Sequence, residues 1–214
     1  MFLDRKDAGE QLARALAKYK GHDALVLAIP RGGVQVGYYV ARELEAGFSL
    51  VVARKLPLPS NPEAGFGAVA EDGSAFIFDD ARRFLDPRTI ERIVAEQQGE
   101  VSRRIRELRG GEPLPPLEGR TVILVDDGIA MGSTMRAALA MCRKAGAAEV
   151  VVAAPVSGPD VAAQMRALAD VVVILETPPN FRAVAQAYVN WYDVPDDEVV
   201  AIMERWRREH GEND

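Results

Sequence analysis

Cysteine is nearly absent from this sequence: Cys142 is the only one, which excludes an internal disulfide and a cysteine-rich zinc site. Its place between Met141 and Arg143 in a helical stretch reads as a buried structural thiol. Histidine is almost as scarce. His22 and His210 each sit beside a glycine near the end of an element, a pattern that argues against a histidine metal centre or a serine–histidine triad. No run approaches the roughly 18–20 apolar residues of a membrane span. Positive charge is short as well, since 26 Lys and Arg face 32 Asp and Glu for a formal net charge of −6. A general nucleic-acid or anionic-membrane surface is not expected, so phosphate binding must come from a few placed residues. The first residues, MFLDRKDAGEQLARAL, carry acids and no signal-like apolar stretch, and cytoplasmic residence is the expectation.

What is present is an apolar framework. Of the 214 residues, 48% are hydrophobic, enough for the core of one domain. Five runs rich in Val, Ile and Leu stand out, at 24–29, 48–53, 121–125, 149–156 and 171–175. They lack polar alternation, as strands buried on both faces of a parallel sheet do. Helical patterns lie between most of them. Those from Val34 to Ala46 and from Thr134 to Ala145 close on Gly47 and Gly146, residues suited to a C-terminal cap with positive φ. The expected fold is α/β, a doubly wound, mostly parallel sheet in one domain over 1–214.

Two stretches depart from that rhythm. At about 55–118 an insertion is expected, opening with the flexible loop KLPLPSNPEAGFG, whose prolines, glycines and asparagine oppose regular structure. Two short strand-like pieces, GAVAED and AFIF, follow it. A long helix then starts from Asp86 and Pro87, with Ile90, Ile93, Val94, Gln97, Val101, Ile105 and Leu108 along one face. At about 180–210 two helical patterns are expected, one carrying Phe181, Val184, Ala185 and Tyr188, the other Val199, Ile202, Met203 and Trp206.

The densest chemical signal is TVILVDDGIAMGST, Thr121 to Thr134. A buried strand ends in Asp126 and Asp127, then a turn leads into a helix. Ligands of open parallel sheets bind at the carboxyl ends of strands. Ala130, Met131, Gly132, Ser133 and Thr134 put successive N–H groups and two hydroxyls at a helix N-terminus, a cradle for a phosphate monoester. Gly132 lets the backbone approach closely. The two carboxylates would repel a phosphate but accept hydrogen bonds from a vicinal diol. Phosphate and diol about one sugar apart describe a ribose 5-phosphate.

On these residues the chain resembles the type I phosphoribosyltransferases, whose fingerprint is an apolar strand, two acids, two apolar residues and a short Thr/Gly loop. The resemblance implies that Asp126 and Asp127 hold the ribose hydroxyls, and Mg²⁺ directly or through water, while the 130–134 loop holds the 5-phosphate and Gly128 joins the ribose 5-phosphate site. Gly128 stands where the family has an apolar residue, and Met131 where Thr or Ala is common. Ala130 tilts against a 6-oxopurine acceptor, for which members usually carry an acid there.

A second junction, IPRGGVQVG, sets Arg31 beside Gly32 and Gly33 after a strand. In the resembled family this loop binds the pyrophosphate of 5-phosphoribosyl 1-pyrophosphate (PRPP), and an Arg fork with exposed N–H groups suits a diphosphate. A third strand ends in Arg54 and Lys55, cations that would neutralise the leaving pyrophosphate as a flexible loop closes. Glu63, Glu71 and Asp72 are candidate acceptors for the base proton. Trp191 and Tyr192 are core aromatics or a stack for an acceptor ring.

The resemblance thus implies a Mg²⁺-dependent transfer of the phosphoribosyl group from PRPP to a small-molecule base. No nucleic-acid or membrane partner is expected, and a homodimer is a fair expectation. A catalytically silent PRPP-sensing regulator of the same fold remains the alternative. A phospho-accepting receiver would also pair its acids, but in a much shorter chain and near its start, leaving the Ser133–Thr134 turn unexplained.

Overall fold

The structure, a computed structural model, describes residues Met1 to Gly211, without the side chain of Glu63. Five parallel strands form its centre: β1 (Leu25–Ala28), β2 (Gly47–Leu50), β6 (Thr121–Val125), β7 (Glu149–Val156) and β8 (Val171–Glu176), in the order β2-β1-β6-β7-β8. Successive residues of β1 feed opposite faces. Val26 and Ala28 join one core with Val34, Val40 and Trp206, whereas Leu25 and Leu27 join another with Met135, Leu139 and Met165. Each fully buried aliphatic side chain here contributes roughly 1.5–3 kcal/mol. The first core is covered by α1 (Arg5–Ala15), α2 (Gly32–Leu44) and α7 (Asp196–His210), the second by α5 (Ser133–Lys144) and α6 (Pro159–Arg166). Helices on both faces of a parallel sheet make the fold the expected doubly wound one. Among the described residues no helix is long and apolar enough to cross a membrane.

The topology fixes where a ligand can sit. From β1 the chain steps to β2 on one side, and from β6 it runs through β7 and β8 on the other. The switch point is therefore the β1/β6 boundary, the place where open α/β sheets bind ligands. Ala28 is in register with Val125, and Ile29 N–H donates to the Val125 carbonyl at 2.8 Å. The loops after the two strands therefore leave the sheet side by side.

Several expectations are corrected. Residues 55–67 are not an irregular loop but most of a hairpin of β3 (Ala53–Leu58) and β4 (Asn61–Ala70). The two expected strand-like pieces fall at the end of β4 and in β5 (Ala75–Ile77), which completes an antiparallel sheet ordered β3-β4-β5. Pro57 is tolerated because β3 is an edge strand with a register shift at that residue. This sheet packs against both α5 and α4 (Pro87–Arg109). The latter starts at Asp86 and Pro87 as expected, and Gly110 closes it at φ 69°. A short helix, α3 (Ala81–Phe84), precedes it. The cap of α2 falls on Glu45, at φ 53°, because Gly47 already opens β2. Gly146 does take positive φ after α5, at 80°. Strand β8 is only half-buried along its whole length, since it is the sheet's edge. The pattern of Phe181 to Tyr188 forms a single 3₁₀ turn, Val184–Ala187, and not a helix. The second pattern forms α7.

Candidate functional site

The two strand-to-helix junctions meet in space. A Cβ placed on Gly32 would lie 1.8 Å from Asp127 Oδ2, and one on Gly33 would lie 2.9 Å from both the Asp126 Cα and the Val125 carbonyl. Glycine is what lets the Arg31–Gly33 turn lie against the acid pair. The peptide between Pro30 and Arg31 is cis.

Asp126 and Asp127 share the end of β6 without facing solvent freely. Asp127 N–H donates to Asp126 Oδ1 at 2.8 Å. Burial, and then the adjacent Asp127 charge, push the Asp126 carboxyl well above the usual carboxylate range. Burial also raises Asp127, against the pull of Arg5. The Arg5 guanidinium is itself 4% exposed and donates from Nε to Asp127 Oδ2 at 2.8 Å.

Arg5 is the site residue that the sequence reading missed. Asp4 caps α1 by accepting from the Asp7 N–H at 2.9 Å, so Arg5 is the first helical residue. Phe2 pins the chain just before it: its N–H donates to the Ala187 carbonyl at 2.7 Å, and its carbonyl accepts from Val189 N–H at 2.9 Å. That bridge sets the start of α1 beside the 187–192 segment. The guanidinium carbon lies 4.0 Å from the Trp191 ring centroid, and Nη1 donates to the Tyr192 carbonyl at 3.0 Å. Tyr188 Oη donates to the Asp127 carbonyl at 2.6 Å. Trp191 is thus stacked on a protein cation, and Tyr192 turns its hydroxyl to Gln35 and Glu198. No local signal announces Arg5, because its partner is 122 residues away.

The loop expected to cradle a phosphate leads directly into α5. Gly132 takes φ 73° immediately before α5, and no side chain caps that helix. The first-turn N–H groups therefore stay open to a ligand. Ala130 and Met131 are exposed, while Ser133 and Thr134 are half-buried. Gly128 has a packing reason for departing from the family pattern: a Cβ there would meet Val184 Cγ1 at 2.4 Å. The methyls of Val184 fill the space that an apolar side chain would take.

On the basic side the structure brings Arg31 and Arg54 together. Burial lowers the Arg54 pKa, followed by the nearby Arg104, with Arg31 adding to the effect. Lys55 lies on the same strand, β3, with its side chain packed beside Gly65. Glu71 and Asp72 are not brought in. Both Glu71 carboxylate oxygens accept from buried Arg109, at 3.1 and 2.6 Å. Asp72 pairs with Lys144 at 2.9 Å, at the end of α5 remote from the cradle. Neither is placed to take a proton from a base at Asp126. The side chain of Glu63 lies outside the described residues.

Comparison with known proteins places this geometry in a family. A family model described as a phosphoribosyl transferase domain matches residues 3–190. A candidate phosphoribosyl transferase of Mycobacterium tuberculosis (strain H37Rv) is 44% identical over 214 residues. The match takes in 99% of this chain but only 48% of that protein, so the chain spans about half the length of its relative. The crystal structure of TT1426 from Thermus thermophilus is 40% identical and superposes with a TM-score of 0.82, over 96% of this chain and 98% of that one. A purine phosphoribosyltransferase from Pyrococcus horikoshii shares the fold, with a TM-score of 0.50 at 14% identity over 89% of this chain and 90% of its own.

Proposed function

We propose, from the premise that the chain belongs to the phosphoribosyl transferase domain family, that it transfers the 5-phosphoribosyl group of PRPP to a nitrogenous base and releases pyrophosphate. The observation that carries this reading is the contact of an acidic and a basic strand-to-helix junction at the β1/β6 switch point. In this reading the bond from the anomeric carbon to the diphosphate oxygen breaks and a bond to a base nitrogen forms. Asp126 and Asp127 accept from the ribose hydroxyls. The N–H groups from Ala130 to Thr134 hold the 5-phosphate. Arg31, Arg54 and Lys55 take up charge that develops on the departing diphosphate, with the Gly32 and Gly33 turn beside it. Catalysis then rests on fixing the ribose between these two ends and neutralising the leaving group.

Magnesium belongs to this reading as an ion that travels with the diphosphate. Among the described residues no group of three or more His, Cys, Asp or Glu could hold a metal. The paired carboxylates are hard oxygen donors, which suit an ion that takes most of its ligands from substrate and water. When bound, such an ion supplies charge neutralisation at the diphosphate oxygens.

The test is calorimetric titration of PRPP with Mg²⁺, using ribose 5-phosphate and ATP as comparators, on the wild type and on Asp127→Asn. Mg²⁺-dependent PRPP binding that Asp127→Asn abolishes is the expected result. Binding of none of these, or an unchanged Asp127→Asn, overturns the reading. A PRPP-sensing regulator is the second reading, favoured by the Trp191 ring, which already stacks on Arg5. Pyrophosphate release in a nucleobase screen separates the two.

A further inference from the structure

Three polar atoms at the open end of the site are buried without a hydrogen-bond partner: Arg54 Nε on β3, Arg104 Nε on α4 and Asp196 Oδ1 at the first residue of α7. Buried groups of this kind are rare in folded proteins, and each asks for an explanation. These three belong to one cluster. Asp196 Oδ1 lies 3.7 Å from Arg31 Nη1 and 3.7 Å from Arg104 Nη1, and Arg104 exerts the largest cationic influence on Arg54. Guanidinium groups thus come from three separate elements: the turn after β1, the antiparallel sheet and the inserted helix. A single carboxylate oxygen stands between two of them, at a separation too long for hydrogen bonds.

We propose that Arg104 is a third guanidinium for the leaving diphosphate, and that Asp196 is an internal anion which holds this pocket until the diphosphate displaces it. The proposal rests on the phosphoribosyl-transfer reading and deepens it. Among the described residues Asp196 faces only Arg31 and Arg104, and Glu100, itself paired with Arg103, is the carboxylate that acts on Arg54. The three guanidiniums thus share two acids without a close contact and gain from further negative charge. Their forks match diphosphate oxygens better than they match one monodentate, long-range carboxylate contact. Asp196 has an alternative resting place, because as the first residue of α7 it favours its own helix N-terminus. Displacing it therefore loses two weak ion pairs, while diphosphate gains direct hydrogen bonds from Arg54 and Arg104. Arg103 also acts on Arg54 but is already paired with both Glu100 and Glu107 along α4.

Titration calorimetry with PRPP, inorganic pyrophosphate and ribose 5-phosphate tests this on the wild type, Arg104→Gln, Arg104→Lys and Asp196→Asn. Arg104→Gln is expected to weaken PRPP and pyrophosphate about tenfold, the loss of one charged hydrogen-bond pair, and to leave ribose 5-phosphate unchanged. Arg104→Lys recovers part of the loss. Asp196→Asn tightens PRPP and pyrophosphate severalfold with no effect on ribose 5-phosphate. Equal affinity of Arg104→Gln and wild type for PRPP, or a parallel loss of ribose 5-phosphate, overturns the role of Arg104. An Asp196→Asn protein that binds pyrophosphate no more tightly overturns the internal anion, and this variant decides the matter alone if Arg104→Gln does not fold. A wild type that binds pyrophosphate but neither PRPP nor ribose 5-phosphate keeps the cluster and overturns the transferase reading instead.

Discussion

Arg5 and Asp127 form an ion pair of 2.8 Å with side chains 4% and 13% exposed, and it ties the first turn of the chain to the acid pair at the end of β6. Removing one partner of such a pair leaves the other buried and uncompensated, at a cost of about 3–5 kcal/mol. Arg5→Gln should therefore lower the urea midpoint by a corresponding amount. Arg5→Lys keeps the charge but cannot reach both Asp127 and the Tyr192 carbonyl, which Arg5 bonds through Nε and Nη1. It should fall between the two. A midpoint for Arg5→Gln equal to wild type would show the pair to be dispensable.

Asp126 should oppose stability at neutral pH. Burial and the Asp127 charge raise its pKa in the folded state, so folding favours its protonated form. The contribution is fully present below the unfolded value of about 3.9 and is lost as pH rises through the folded value. Asp126→Asn keeps an oxygen for the Asp127 N–H and removes the charge. It should raise the neutral-pH unfolding free energy, with the gain vanishing in acid. PRPP binding should be lost in the same variant. Thermal melts across pH check this, and a variant less stable than wild type at neutral pH contradicts it.

What could be read from the sequence follows how local each cause is. Strands β6 and β7 end where their apolar runs end, because both are interior strands with both faces covered. Helix α4 carries its own start signal in Asp86 and Pro87. The β3–β4 hairpin was hidden by Pro57, tolerated because β3 is an edge strand with a register shift there, and by Pro62, which falls among unpaired residues near the hairpin tip; both conditions are properties of the assembled sheet. The acid pair and both glycine turns were legible as strand-to-helix junctions. Arg5, Arg104 and Asp196 were not, since each acts through partners on distant elements.

Cys142 should be chemically silent in the folded protein. Burial, with smaller contributions from Glu71 and Asp72, pushes its thiol up to about 12. At pH 8 almost no thiolate is present to react. Iodoacetamide should leave the native mass unchanged over a period in which the guanidinium-unfolded chain is fully alkylated. Native labelling at a comparable rate would mean that α5 opens far more often than its packing implies.

The contact between the two junctions can be tested with glycine alone. Gly32→Ala drives a Cβ to 1.8 Å from Asp127 Oδ2 and 2.9 Å from Arg5 Nε, so the carboxylate must swing out and break its pair with Arg5. Gly33→Ala meets backbone, the Val125 carbonyl and Asp126 Cα at 2.9 Å, and the end of β6 cannot rotate aside as a side chain can. Gly99 is the opposite case, a glycine inside α4 with nothing within 4 Å of an added Cβ. Gly99→Ala should stabilise by about 0.5–1 kcal/mol. Gly32→Ala should destabilise by roughly 3 kcal/mol through the broken pair, and Gly33→Ala by at least as much. Urea midpoints in the order Gly33→Ala, Gly32→Ala, wild type, Gly99→Ala are expected. If Gly32→Ala ranks with wild type, the basic turn does not lie against the acid pair. The ribose and diphosphate ends of the proposed site would then be too far apart to hold one PRPP molecule.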